Sequence, residues 1–212
     1  TGKNWACRLG ARAARGDILL FLDADTRLEQ HGLEKILGAF GQCSGVVSIC
    51  PYHATKRGCE DFSVFFNIMM AAGINAFTPR GNKEKNKGLF GQCMILSKEH
   101  YEKAGGHESV RSKILENFFL SHAFRSAGIA IACYGGKGTI SIRMFPGGLK
   151  ELIQGWSKAF ASGAGNTAPG ILCASIMWIS AGFVSFILPL CCLHTGMPSR
   201  LCVLSLLLYA AY

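Results

Sequence analysis

The stretch that narrows the fold most is Gly16-Asp17-Ile18-Leu19-Leu20-Phe21-Leu22-Asp23-Ala24-Asp25-Thr26. A turn residue leads into the apolar run Ile18 to Leu22, which ends on two carboxylates one residue apart. An apolar run of strand length predicts a strand buried on both faces, as in a parallel sheet covered by helices. Asp23 and Asp25 then fall at its C-terminal end, the place where open α/β sheets bind ligands. Two carboxylates on alternate residues there allow two readings. They hold a hard cation, Mg²⁺ or Mn²⁺, that bridges to phosphate oxygens and neutralises leaving-group charge. Alternatively they are solvated acids in a turn.

The second strong signal lies at the other end. Residues 171–193 are 23 residues without Asp, Glu, Lys, Arg or His. That meets the roughly 20 residues a bilayer-spanning helix needs. Residues 201–212 form a second apolar run, expected to start another span. The net charge is +9, and beyond residue 170 only Arg200 among Lys, Arg, Asp and Glu occurs. The part before the span is therefore basic. Beside a membrane, that basicity fits a phosphorylated substrate or an anionic lipid face better than nucleic acid. By the positive-inside rule, Arg143, Lys150 and Lys158 put the globular part in the cytoplasm, at the cell membrane. The ten cysteines include no Cys-x-x-Cys pair, which argues against zinc.

Between these signals the chain alternates in the α/β manner. Helices are expected over residues 4–14, 29–40, 61–72, 98–104 and 112–127, and strands over 46–50 and 89–96. Residues 80–88 form a basic loop. Strands over 129–134 and 139–144, separated by Gly135-Gly136-Lys137-Gly138, carry a hairpin signal. In residues 149–161, Leu149, Ile153, Trp156 and Phe160 share one helical face flanked by Lys150 and Lys158. That composition fits either an interfacial helix or one packed on the domain. A lone helix feeding a central strand is an unusual start for such a domain, so earlier βα units are expected to be missing. Lys3, after Gly2 and ahead of the first helix, is either a phosphate-binding cation or an ordinary exposed lysine.

Taken in order, Gly2-Lys3…Ala6, Gly16-Asp17…Asp23-Ala24-Asp25, Gly91-Gln92-Cys93, Gly105-Gly106-His107 and Leu115-Glu116-Asn117 resemble family 2 of the inverting nucleotide-sugar glycosyltransferases. The likeness covers residues 1–165. Within that family the chain is most similar to membrane-bound enzymes that glucosylate carotenoids. The resemblance implies an α/β, GT-A-like nucleotide-diphosphate-sugar fold: a mixed sheet with helices on both faces, followed by transmembrane helices. It also implies a UDP-sugar donor, a lipid-soluble acceptor and Mg²⁺ or Mn²⁺. Asp23 would lie near the donor's ribose or sugar, and Asp25 would bind the metal. Lys3 and Gly91 would contribute to the donor site. So would Trp156 and Lys158, which stand where many members carry Q-x-x-R-W, here only loosely echoed.

Glu116 and Asn117 occupy the position of a family Glu-Asp pair whose Asp acts as base. An amide accepts no proton at neutral pH. Three explanations are open: Glu116 substitutes, the acceptor is an already ionised carboxylate, or this copy is inactive. Two other functions compete, a processive polysaccharide synthase and a catalytically silent membrane-anchored binding domain.

Overall fold

The computed structural model describes residues 2–77, 79, 88–111, 116–165, 169–195, 203–204 and 207. The chain divides into two compact units, residues 1–159 and 160–212. The first unit is a mixed α/β assembly. It opens with α1 (Lys3–Ala13), followed by β1 (Ile18–Leu22), β2 (Thr26–Leu28), α2 (Gly32–Gly41), β3 (Val46–Cys50) and β4 (Tyr52–His53). A 3₁₀ turn (Gly58–Phe62) precedes α3 (Ser63–Gly73). Then come β5 (Cys93–Ser97), α4 (Lys98–Lys103), a short turn at Gly106–Glu108, α5 (Glu116–Ser126), β6 (Ile131–Gly135), β7 (Ile140–Ile142) and α6 (Leu149–Ala164), of which the residues from Phe160 on are counted with the second unit. The loop expected over residues 80–88 and the first turn of the helix expected from 112 lie mostly outside the described residues.

The main sheet has the order β1-β5-β3-β6, antiparallel between β1 and β5 and between β5 and β3, and parallel between β3 and β6. Its central strands alternate between two buried faces, as period-2 side chains must. Val46, Met94, Leu96, Ile131 and Cys133 join Ala11 of α1 and Leu120 and Phe124 of α5 in one core. Val47, Ile49, Cys93, Ile95 and Ala132 join Ile36 of α2 in the other. The expected mixed sheet with helices on both faces is therefore present.

Three details differ from the sequence reading. First, β1 is an edge strand of the described residues, paired with β5 alone, and not a strand buried on both faces in a parallel sheet. Its ends are open to solvent, with Ile18 47% and Leu22 40% exposed, although Leu19 is buried. An apolar run reports strand propensity but not position in the sheet. Second, β6 and β7 do not form a hairpin. The Gly136 N–H donates to the Cys50 carbonyl (2.7 Å), and the Thr139 and Ile140 N–H groups donate to the Gly136 carbonyl (2.9 Å each). This turn carries the chain out of the main sheet into a second one of order β2-β7-β4. Two other strand ends make the same crossing, at Asp23–Asp25 between β1 and β2 and at Pro51 between β3 and β4.

Third, Arg143 has a partner that the sequence did not indicate. It donates through Nη2 to Glu60 Oε1 (2.6 Å) and through Nε to Oε2 (3.2 Å). Glu60 has no exposed surface. It also accepts the Lys56 N–H at 2.9 Å. The Arg143 hydrogen bonds, helped by backbone donors and opposed by desolvation, lower its pKa from 4.5 to about 2.

Helix α6 buries Leu152, while Leu149 (52%) and Ile153 (54%) of the expected apolar face stay exposed. Helix α7 (Pro169–Thr195) belongs to the second unit. Among the described residues no helix is long and apolar enough to cross a membrane. The expected span over 171–193 thus finds no support there, and 201–212 lie largely outside the described residues.

Because folding depresses the Glu60 pKa, the pair's contribution is fully present above about pH 4.5 and is lost as pH falls towards 2. Glu60→Gln should therefore lower the melting temperature at pH 7 and shrink the difference between pH 7 and pH 3. Thermal melts of both proteins across that range check it.

Candidate active site

The site forms where three elements meet at the C-terminal end of β1. Helix α1 is held there by the Asn4 side-chain amide, which donates to the Val110 carbonyl (3.0 Å). This places Lys3, the first residue of the helix, over the strand end. Its ammonium reaches Asp23 Oδ1 at 2.6 Å and Glu116 Oε1 at 3.5 Å. Burial pulls the Lys3 pKa down, but the hydrogen bond to Asp23 and the charges of Asp23 and Glu116 outweigh it and leave it above 10.5. Asp23 is fixed through its backbone. Its N–H donates to the Gln92 carbonyl (2.9 Å), and its own carbonyl accepts from the Thr26 N–H (3.0 Å) and hydroxyl (2.7 Å).

The Gly91 loop is stapled in place by a side chain from the neighbouring strand. The buried Ser48 hydroxyl donates to the Phe90 carbonyl (3.0 Å) and accepts the Phe90 N–H (2.6 Å). That exchange diverts the backbone from a ladder, so the strand expected from residue 89 begins only at Cys93. It also presents the bare Cα of Gly91 to the side chain of Asn117. A Cβ at Gly91 would overlap the Asn117 amide. Glu116 and Asn117, successive on α5 and hence about 100° apart, consequently have different neighbours. Glu116 turns to Lys3, and Asn117 to the Gly91 loop.

The result is one small pocket of about 20 Å³ whose lining includes Lys3, Asp23, Gly91, Asn117, Cys7 and His107. Four of the residues singled out in the sequence line it, and Glu116 is tied to it through Lys3. Three others are not in its lining. Asp25 is exposed in the turn after Asp23. Trp156 is half-buried and Lys158 exposed, both on α6. The Gly155 before Trp156 has a packing role, since a Cβ there would run into the Phe145 ring.

No group of three or more His, Cys, Asp or Glu that could hold a metal occurs among the described residues. The donors present therefore do not make an all-protein cage. They do suit Mg²⁺, which is commonly held by one or two carboxylates plus substrate phosphates. Asp25, whose carboxylate is open to solvent, would hold such an ion, with Asp23 beside it already engaged by Lys3.

Sequence reasoning passed over Cys7, Tyr101 and the role of His107. Cys7 follows Lys3 by four residues, the spacing that puts two side chains on one helical face. His107 had its signal in the preceding glycines. Gly105 and Gly106 both take positive φ (77° and 49°), and a Cβ at Gly106 would strike the Tyr101 ring. The Tyr101 hydroxyl lies 3.0 Å from His107 Nδ1 and accepts the His107 N–H at 3.1 Å. Burial, with Lys3's charge adding to it, lowers the His107 pKa to about 4.

Gly91→Ala should cost about 1–3 kcal/mol, the range for overpacking a filled site. Much of that loss should be recovered when Asn117 is also shortened to Ala. A double-mutant cycle by denaturant unfolding measures the coupling.

Comparison with known proteins identifies the family. The model of glycosyl transferase family 21 matches residues 2–135, where the motifs had pointed to the similar family 2. The 4,4'-diaponeurosporenoate glycosyltransferase of Staphylococcus haemolyticus (strain JCSC1435) is 36% identical over 188 residues, 87% of this chain and 50% of that protein. The protein of the same name from Staphylococcus aureus (strain MRSA252) is 36% identical over 194 residues, 90% of this chain and 51% of its own length. The chain thus spans about half the length of these relatives. With its model match running through the Lys3, Asp23, Gly91 and Asn117 pocket, the chain belongs to glycosyl transferase family 21.

Proposed function

We propose that this chain carries the transfer site of an inverting glycosyltransferase that moves a hexose, glucose, from a UDP-sugar to a lipid-soluble acceptor of the carotenoid-acid kind. The observation that carries the reading is the convergence of Lys3, Asp23, Gly91, Glu116 and Asn117 at one strand end. The names of the Staphylococcus relatives support the acceptor class.

Asn117 shapes the chemistry. Transfer to an alcohol calls for a base to take the hydroxyl proton. Asn117 provides none, and Glu116 is committed to Lys3. An acceptor carboxylate, with a pKa of about 4, is already ionised and needs no base. Its oxygen attacks the anomeric carbon, the bond from that carbon to the diphosphate oxygen breaks, and UDP leaves with the electron pair. No proton moves. Mg²⁺ or Mn²⁺ at Asp25 would offset the charge of the departing diphosphate.

We place the protein at the cell membrane, with the transfer site on the cytoplasmic side. The support is the charge-free run of residues 171–193, the flanking Lys150 and Lys158, and the open apolar positions Leu149 and Ile153 of α6. A polyene acceptor partitions into lipid, which gives such placement a purpose.

Three measurements on the full-length enzyme test these readings. Asn117→Asp should raise transfer to a lipid alcohol by about 10²-fold or more, the scale of general-base catalysis, and leave a lipid acid within a few-fold. Equal large gains for both acceptors would mean that Asn117 simply disables the enzyme. Asp25→Asn should collapse metal-dependent turnover, and parental rates across a Mn²⁺ titration would remove the metal role. Finally, the protein should stay with membranes through high-salt and carbonate washes, and release into the supernatant would rule out a spanning anchor.

A further inference from the structure

His107 is not accounted for by the transfer chemistry above, yet it forms one wall of the same pocket. Its ring is fixed on two sides. Phe21 packs against it with centroids 5.0 Å apart, and Tyr101 lies at its Nδ1 edge. The Tyr101 hydroxyl already accepts the His107 backbone N–H, so its own proton is free to go to Nδ1. That arrangement puts the imidazole proton on Nε2. The ring is buried, at 4% exposure, and its depressed pKa keeps it neutral through the physiological range.

The rest of the lining combines donors with acceptors. Lys3 and the Asn117 amide donate, and Asp23 and the Asn117 carbonyl accept. At about 20 Å³ the space takes one water-sized group. A hydroxyl both donates and accepts, and it fits the volume.

We propose that this pocket is a subsite for one hydroxyl of the donor hexose, with His107 Nε2–H as a specificity-determining donor and Tyr101 as the positioning residue that sets its tautomer. The inference rests on the donor reading given above. It adds a residue that selects the sugar apart from those that hold the nucleotide.

The test is calorimetric binding of UDP and of UDP-glucose to the full-length protein with Mg²⁺, for the parent, His107→Phe and His107→Gln. Phenylalanine keeps the stack on Phe21 and removes the donor. Glutamine restores an N–H near the Nε2 position. UDP alone should bind all three alike. The extra affinity of UDP-glucose over UDP should fall about ten-fold in His107→Phe, the worth of one good hydrogen bond, and return within about three-fold in His107→Gln. Among singly deoxygenated UDP-glucose analogues, one should bind the parent about ten-fold more weakly than UDP-glucose and bind His107→Phe no more weakly. An unchanged ratio of UDP-glucose to UDP in His107→Phe overturns the subsite. So does a glutamine variant as weak as the phenylalanine one. If the parent binds neither UDP nor UDP-glucose, the donor reading falls, and the subsite falls with it.

Discussion

The bridge from Lys3 to Asp23 and Glu116 is the contact on which the site depends. It joins the start of α1, the end of β1 and the start of α5, three elements far apart in the chain. Its value is not mainly thermodynamic. Lys3 is 44% exposed, and exposed pairs contribute only about 0–1 kcal/mol. What the ammonium does is let two carboxylates converge on a space of one-water size without mutual repulsion. The cores on either face of the main sheet carry the stability, and the bridge decides what charge the strand end presents.

Around that bridge, rigidity comes from buried hydroxyls. Ser48 holds both backbone groups of Phe90, and Tyr101 holds both the backbone and the ring of His107. Each is a side chain from inside the fold that ties down a loop at its rim. Gly91 and Gly106 complete the arrangement by allowing Asn117 and the Tyr101 ring to approach more closely than any Cβ would permit. The glycines at these two motif positions are thus steric necessities.

Much of this was legible in the chain. The apolar run ending in Asp23 marked a strand end, Val46 to Cys50 appeared as the strand it is, and the ordered motifs assembled Lys3, Gly91, Glu116 and Asn117 around Asp23. What was not legible depended on partners distant in sequence. Nothing local says that Ile18 and Leu22 lie on an edge, because sheet order is set by which strands come between. Nothing local distinguishes the glycine turn after β6 from a hairpin, because the Cys50 carbonyl that bends it is 86 residues away from Gly136. The pairing of Arg143 with Glu60 could not be read from the chain because 83 residues separate them. His107 sat in view within a recognised motif, but its buried placement depends on Tyr101 and Phe21, which no spacing rule links to it.

Three strands leave the main sheet for the smaller one, and one of those crossings is the acidic turn itself. Asp23 is pinned to the main sheet through Gln92, and Asp25 immediately precedes β2 of the smaller sheet. The two carboxylates therefore stand at a corner between the sheets, and Thr26 at the start of β2 closes that corner on the Asp23 carbonyl through its N–H (3.0 Å) and hydroxyl (2.7 Å), so the turn itself sets the spacing of the two acids.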